Sequence, residues 1–202
     1  MTKDKSKFES VLQLIDEANA KDDRLEEFDG KMWAKELLYS HRMTDMLNRF
    51  CPGESELVQI ACRAQHIERW KIPRSSYPLT REGYLKWRIG LYSFHANRVA
   101  ELMTLAGYDT IAIEATKVMV GKKNIKSNPD TQTLEDVAGL VFLEHYMLDF
   151  AATKKDYSDD KWMGIIQKTW GKLSLTAREF ALSGKLMLPE PLMPLIQKAL
   201  SV

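Results

Sequence analysis

The sequence predicts an all-α protein, and three observations carry that prediction. Apolar residues recur at the 3.6-residue period through most of the 202-residue chain, capping and turn-forming residues punctuate the periodic runs, and no run of two-residue alternation competes with them. With 45% hydrophobic residues the chain can bury a continuous core, and its length fits one compact multi-helix domain over residues 1–202.

The elements follow in order. Phe8, Val11, Leu12, Ile15 and Ala18 give a first helix from Lys5 to about Ala20 its apolar face. The charged stretch KDDRLEEFDGK, with Asp29-Gly30 inside it, is a connection to a second helix from about Trp33 to Phe50, which Cys51-Pro52-Gly53 ends. A third helix runs from about Ser55 to Trp70 with Leu57, Ile60, Ala61 and Ala64 on its apolar side, and the prolines and serines of KIPRSSYPLT then break regular structure. The longest helix spans Arg81 to about Ala106, closed by Gly107. Asp109 caps a fifth helix through Val120, which gives out at Gly121-Lys122-Lys123. NIKSNPDTQ is a turn, and Thr133-Leu134-Glu135-Asp136 has the form of a capping box opening the sixth helix, VAGLVFLEHYMLDFAA. Ser158 starts a helix carrying Trp162, Ile165, Ile166 and Trp170, Thr176 and Glu179 repeat the capping-box pattern, and a short last helix follows Pro191. Helices over about 33–150 form the core, with a C-terminal helical extension over about 158–202.

Composition narrows the function. Twenty-nine Lys and Arg against 28 Asp and Glu leave a net charge of +1, which removes the footprint of a general nucleic-acid binder. RNA binding would be confined to one flipped or single-stranded base at a local Arg/Trp/Tyr cluster. Cys51 and Cys62 have no framework spacing and read as reduced thiols of a cytoplasmic protein. No apolar run approaches the roughly 20 residues needed to span a bilayer, and the start MTKDKSKFES lacks a hydrophobic signal segment, so no membrane role is expected.

The densest chemistry lies in Ala61–Arg74, ACRAQHIERWKIPR, where a helix gives way to a loop. The four histidines, His41, His66, His95 and His145, all fall in predicted helices. Neutral imidazole is a metal ligand and a general base, although a single helical histidine is more often a hydrogen-bonded packing residue. Tyr84, Arg88, Leu91, His95 and Arg98 share one stripe of the long helix. With Arg69, Arg74, Lys122 and Lys123 they make a local electropositive region, and guanidinium groups bind phosphate or carboxylate in a planar, bidentate way. An anionic small molecule is therefore the expected ligand. Trp70, Tyr77, Tyr84 and Trp87 can stack on it, or can pin the proline-rich loop to the core. Glu135 and Asp136 are adjacent and diverge, so they do not form a carboxylate dyad. There is no glycine-rich phosphate loop, CxxC pair or GxSxG elbow.

His41 on the second helix, His66 near the end of the third, His95 on the fourth and Asp136 at the start of the sixth resemble the order of ligands in the HD-domain superfamily of metal-dependent phosphohydrolases. That resemblance implies an HD-like core with one divalent metal (Mn, Fe, Ni, Co or Mg) on His41, His66 and Asp136. It assigns catalysis to Asp136 and His95, and the holding of a small phosphorylated or nucleotide substrate to Arg69, Trp70, Arg74, Tyr84, Arg88 and Lys122. The sequence departs from the pattern where Ile67, not aspartate, follows His66, and Glu68 lies a further step of about 100° around the axis. The bridging ligand of a two-metal centre is thereby missing. The alternative is a non-catalytic anion-binding or protein-interaction domain that has lost its metal centre. Asp136 also has a structural explanation as the acid of the Thr133 capping box.

ELLYSHRM, RAQHIERWKIPR, SYPLTREGYLKWR and QTLEDVAGLVFLEHY resemble a second group through most of the chain, the uncharacterised domain of unknown function 4202 family. This resemblance implies no established activity. A homodimer is compatible with the extra C-terminal helices.

Overall fold

A computed structural model describes residues 6–154 and 156–200, without the side chains of residues 199 and 200. The protein is all-α apart from one small two-stranded sheet, with ten α-helices among the described residues. The chain clusters into two compact units, Met1–Leu134 and Glu135–Val202.

In the first unit, α1 (Lys7–Asn19) starts in a complete capping box between Ser6 and Glu9. The expected connection contains a hairpin, β1 (Leu25–Phe28) paired antiparallel to β2 (Lys31–Ala34). Its two-residue turn, Asp29-Gly30, has φ of 52° and 69°, the left-handed pair that suits the twist of a tight hairpin. α2 consequently begins at Lys35, not Trp33, and runs to Phe50.

α3 spans only Glu56–Arg63 and does not reach Trp70. After it the chain tightens into turns, Gln65 and Ile67 donating to carbonyls three residues back. At Glu68 it enters the left-handed region, with φ of 51°. The Glu68 N–H is held by Asn19 Oδ1 at 3.0 Å, a contact across 49 residues that local periodicity does not reveal. Single 3-10 turns follow at Arg69–Lys71 and Arg74–Ser76.

α4 (Arg81–Leu105) is capped by Thr80, and Gly107 takes the positive φ after its end. α5 (Thr110–Val120) is capped by Asp109. α4 packs on α5, α5 on α3, α3 on α2, and α1 on α2, α3 and α4. Val11, Ile15, Met43, Met46, Ile60, Ile67, Val99 and Met103 are its fully buried centre.

α6 (Pro129–Val141) starts before the expected Thr133 cap, so Thr133 and Asp136 lie inside the helix and the capping-box explanation of Asp136 is corrected. The cap is Asn128, whose Oδ1 accepts the Thr131 N–H at 3.1 Å, with Pro129 opening the first turn where a missing N–H does no harm.

The second unit continues through a π turn at Phe142–Tyr146, α7 (Met147–Ala152), α8 (Asp159–Trp170), α9 (Leu175–Leu182) and α10 (Met193–Leu200), with α8 packed on α10. α9 is capped by Ser174, two residues before the expected Thr176. No helix among the described residues is long and apolar enough to cross a membrane.

Candidate functional site

The turn after α3 aims successive side chains in opposite directions. Ile67 is fully buried in the core, so the position at which an HD-type sequence carries its aspartate faces apolar packing. Glu68 is also committed: its carboxylate takes Lys71 at 2.8 Å and Arg98 at 2.7 Å. His66 is left facing the edge, with a quarter of its side chain exposed.

His66 stacks on Tyr39, the ring centroids 4.1 Å apart and nearly parallel. Arg69 Nη1 lies 2.8 Å from its Nε2. A guanidinium only donates, so Nε2, the nearer nitrogen, accepts and the proton sits on Nδ1, which lies 3.4 Å from the same Nη1 and faces Glu36 Oε2 at 3.7 Å. His95 lies behind it on α4, 1% exposed, with the two ring centroids 6.0 Å apart. Its Nδ1 is 2.8 Å from the Ile67 carbonyl, which only accepts, so His95 also carries its proton on Nδ1. His95 Nε2 is then a bare lone pair, buried and without a hydrogen-bond partner.

Three cations surround this pair. Arg69 lies 5.0 Å over the Trp87 ring, Arg88 donates to the Tyr92 hydroxyl at 2.5 Å, and Lys122 Nζ stands 5.6 Å over the Tyr92 ring. Burial pushes the His66 pKa well below its ordinary value, and Arg69, His95, Lys122 and Arg88 push it in the same direction. The His95 pKa falls to about 3 through burial, opposed by its bond to Ile67 and assisted by Arg69 and Lys122. Both rings are thus neutral at pH 7 and stand in a positive field. Glu36, whose Oε2 faces His66, is itself held by Arg24 at 2.9 Å, and burial raises its pKa against the pull of Arg69 and Arg24.

Lys122 reaches its place through an uncommon helix end. α5 closes with Lys123 N–H on the Val118 carbonyl at 3.0 Å and Lys122 N–H on that of Met119 at 2.9 Å, a Schellman closure. The left-handed residue such a closure requires is ordinarily glycine; here it is Lys122, with φ of 52°.

Other expected site residues are placed elsewhere. His41 belongs to a separate cluster: its Nε2 accepts from Arg63 Nη2 at 2.8 Å, and Arg63 pairs with both oxygens of Asp16 at 2.7 and 2.6 Å. That bond uses the lone pair a metal would need, and His41 does not join the His66–His95 pair. Asp136 belongs to the second unit, where it is 2% exposed and accepts the Ser174 N–H at 2.7 Å, fixing the start of α9. Arg74 clamps its own loop, donating to the carbonyls of Tyr77 at 2.9 Å and Pro78 at 2.8 Å. Tyr84 is exposed between Arg74 and Arg88, and Trp70 is half-buried. Among the described residues no group of three or more His, Cys, Asp or Glu side chains is arranged to hold a metal ion. Two imidazoles among three cations also supply little negative charge for a divalent ion.

Sequence reasoning passed over Tyr39, Glu36 and Tyr92. The first two lie in ELLYSHRM beside His41, and Tyr92 is four residues after Arg88 on α4, the spacing that brings helical side chains together.

The fold and this cluster define an all-α protein bearing a cationic, histidine-lined site. The family model described as a domain of unknown function (DUF4202) matches residues 9–196, and the chain belongs to that family. No curated protein and no solved structure matches it.

Proposed function

We propose that the His66–His95 cluster binds a small phosphate-type anion and that this binding, without catalysis, is the function of the site. The observation that supports it is the placement of Arg69, 2.8 Å from His66, in a field in which Arg69 and Lys122 act on both neutral imidazoles and Arg88 on His66. An anion is the ligand such a field favours, and guanidinium groups match phosphate geometry. Tyr39 and Trp87 hold His66 and Arg69 in place by stacking, so little side-chain freedom is lost on binding.

A ligand that binds only the folded chain raises its melting temperature as concentration grows. Thermal unfolding in inorganic phosphate, pyrophosphate and citrate at constant ionic strength is the test. Phosphate-type anions are expected to raise Tm in the wild type, less in Arg69→Ala, and fully in Arg74→Ala, whose guanidinium serves the loop. No rise in Tm at millimolar anion overturns the proposal.

The second reading is a metal-dependent phosphohydrolase, and the unpartnered His95 Nε2 favours it, being the kind of lone pair a metal or general base uses. The surrounding cations weigh against a divalent ion. Phosphomonoester hydrolysis that appears on supplying Mn, Fe, Ni, Co or Mg and disappears in His95→Asn would establish this reading over simple binding.

A further inference from the structure

His95 places a chemical demand on any anion beside it. Its Nδ1 proton is used on the Ile67 carbonyl at 2.8 Å, so its Nε2 accepts and does not donate. That nitrogen is buried with no partner of its own, on a side chain 1% exposed. A fully ionised anion brings only lone pairs and leaves two acceptors facing each other. An anion that also carries an O–H satisfies the nitrogen and the cations together.

We infer that the site selects anions bearing a hydroxyl proton, taking hydrogen phosphate or a hydroxylated phosphoester and rejecting sulfate. The inference rests on the anion-binding reading above and adds the basis of its selectivity. Near pH 7.5 hydrogen phosphate and sulfate share size, tetrahedral shape and double charge, and they differ by the proton that His95 Nε2 requires. Sites built around a specific hydrogen bond reject analogues that lack it, because the buried polar group is left unpaired. Sulfate can enter only with a proton on His95, which burial and the neighbouring Arg69 and Lys122 oppose. Its binding therefore strengthens as pH falls, whereas that of hydrogen phosphate does not share this dependence.

Calorimetric titration of the full chain with phosphate, sulfate, methyl phosphate and glycerol phosphate at pH 8 and pH 6 tests the inference. Methyl phosphate dianion has no O–H, and glycerol phosphate supplies one from its alcohol, so the two esters separate a free ion from an ester as the ligand. Phosphate is expected to bind at least about tenfold more tightly than sulfate at pH 8. The gap should narrow at pH 6, and His95→Gln, whose amide offers a donor, should lose the preference. Equal binding of phosphate and sulfate at pH 8 by the wild type overturns the inference and leaves the anion site standing. Binding of neither overturns the anion site and the inference with it. The wild-type comparison is decisive even where the variant does not fold.

Discussion

Replacing Lys122 by glycine separates what this residue does for stability from what it does for the site. Its φ of 52° is a left-handed conformation that costs a non-glycine residue about 1–2 kcal/mol. Both Schellman bonds, at 2.9 and 3.0 Å, are made by backbone and survive the change. Against that gain stand the contacts of the Lys122 side chain, among them Nζ over Tyr92 at 5.6 Å, worth about 0.5 kcal/mol, and the greater freedom of glycine in the unfolded chain, about 0.5–1 kcal/mol. These terms nearly cancel and leave a change between about −0.5 and +1 kcal/mol, a shift of no more than roughly 4 °C in Tm for a chain of this size. The same substitution removes one of three cations and is expected to weaken phosphate binding about fivefold, a loss of about 1 kcal/mol. Urea denaturation gives the first quantity and phosphate titration the second. A variant destabilised by about 1 kcal/mol or more, the loss expected without strain relief, refutes the strain argument. One that is more stable but binds phosphate unchanged refutes the place of Lys122 in the site.

Two further outcomes follow from the same geometry. The folded chain resists protonating His95 until about pH 3, while the unfolded chain takes that proton near pH 6.5, so its stabilising contribution is full above pH 6.5 and is lost as pH falls. Between pH 7 and pH 5 the loss from His95 is about 2 kcal/mol; urea midpoints should fall by that much more in the wild type than in His95→Asn, which keeps the loss from His66, and equal losses in both would contradict it. Gly83→Ala would place its Cβ 2.2 Å from the Pro78 carbonyl oxygen, so we expect a destabilisation of about 1–3 kcal/mol and faster proteolysis of the 72–80 loop, and an unperturbed Tm would show that the loop yields.

The helices were legible because their signals are local. Asp109 and Ser158 cap where the sequence puts them, and Gly107 ends α4 as its position implies. The misreadings have two physical origins. At α6 a local signal was present and outranked: Asn128-Pro129 is a helix start, but the capping-box form of Thr133–Asp136 drew the boundary inward. The Asp29-Gly30 hairpin was likewise written in its turn, on strands too short for alternation to register. At α3 no local signal existed, because Asn19 captures the Glu68 N–H from 49 residues away and turns a helical pattern into a loop.

The site divides along the same line. That cations, aromatics and histidines gather near Ala61–Arg74 and on α4 was legible from composition and spacing. Which histidine joins which cluster was not, since His41 is claimed by Arg63 and Asp16, and His95 is placed behind His66 by helix packing. Arg74 looks like a ligand-holding residue in sequence and is a loop clamp in structure, because the carbonyls it binds have no signature of their own.

In the proposed site a phosphate-type anion bonds to a bare His95 Nε2 within the cationic cluster. Long-range ¹H–¹⁵N correlation of the histidine side chains, before and after adding inorganic phosphate, reads that atom directly. His95 is expected to be the Nδ1–H tautomer at pH 7.5, with phosphate shifting its Nε2 toward the hydrogen-bonded value while the His41 resonances stay in place. A His95 that carries its proton on Nε2, or resonances of His66 and His95 that do not move at saturating phosphate, would contradict it.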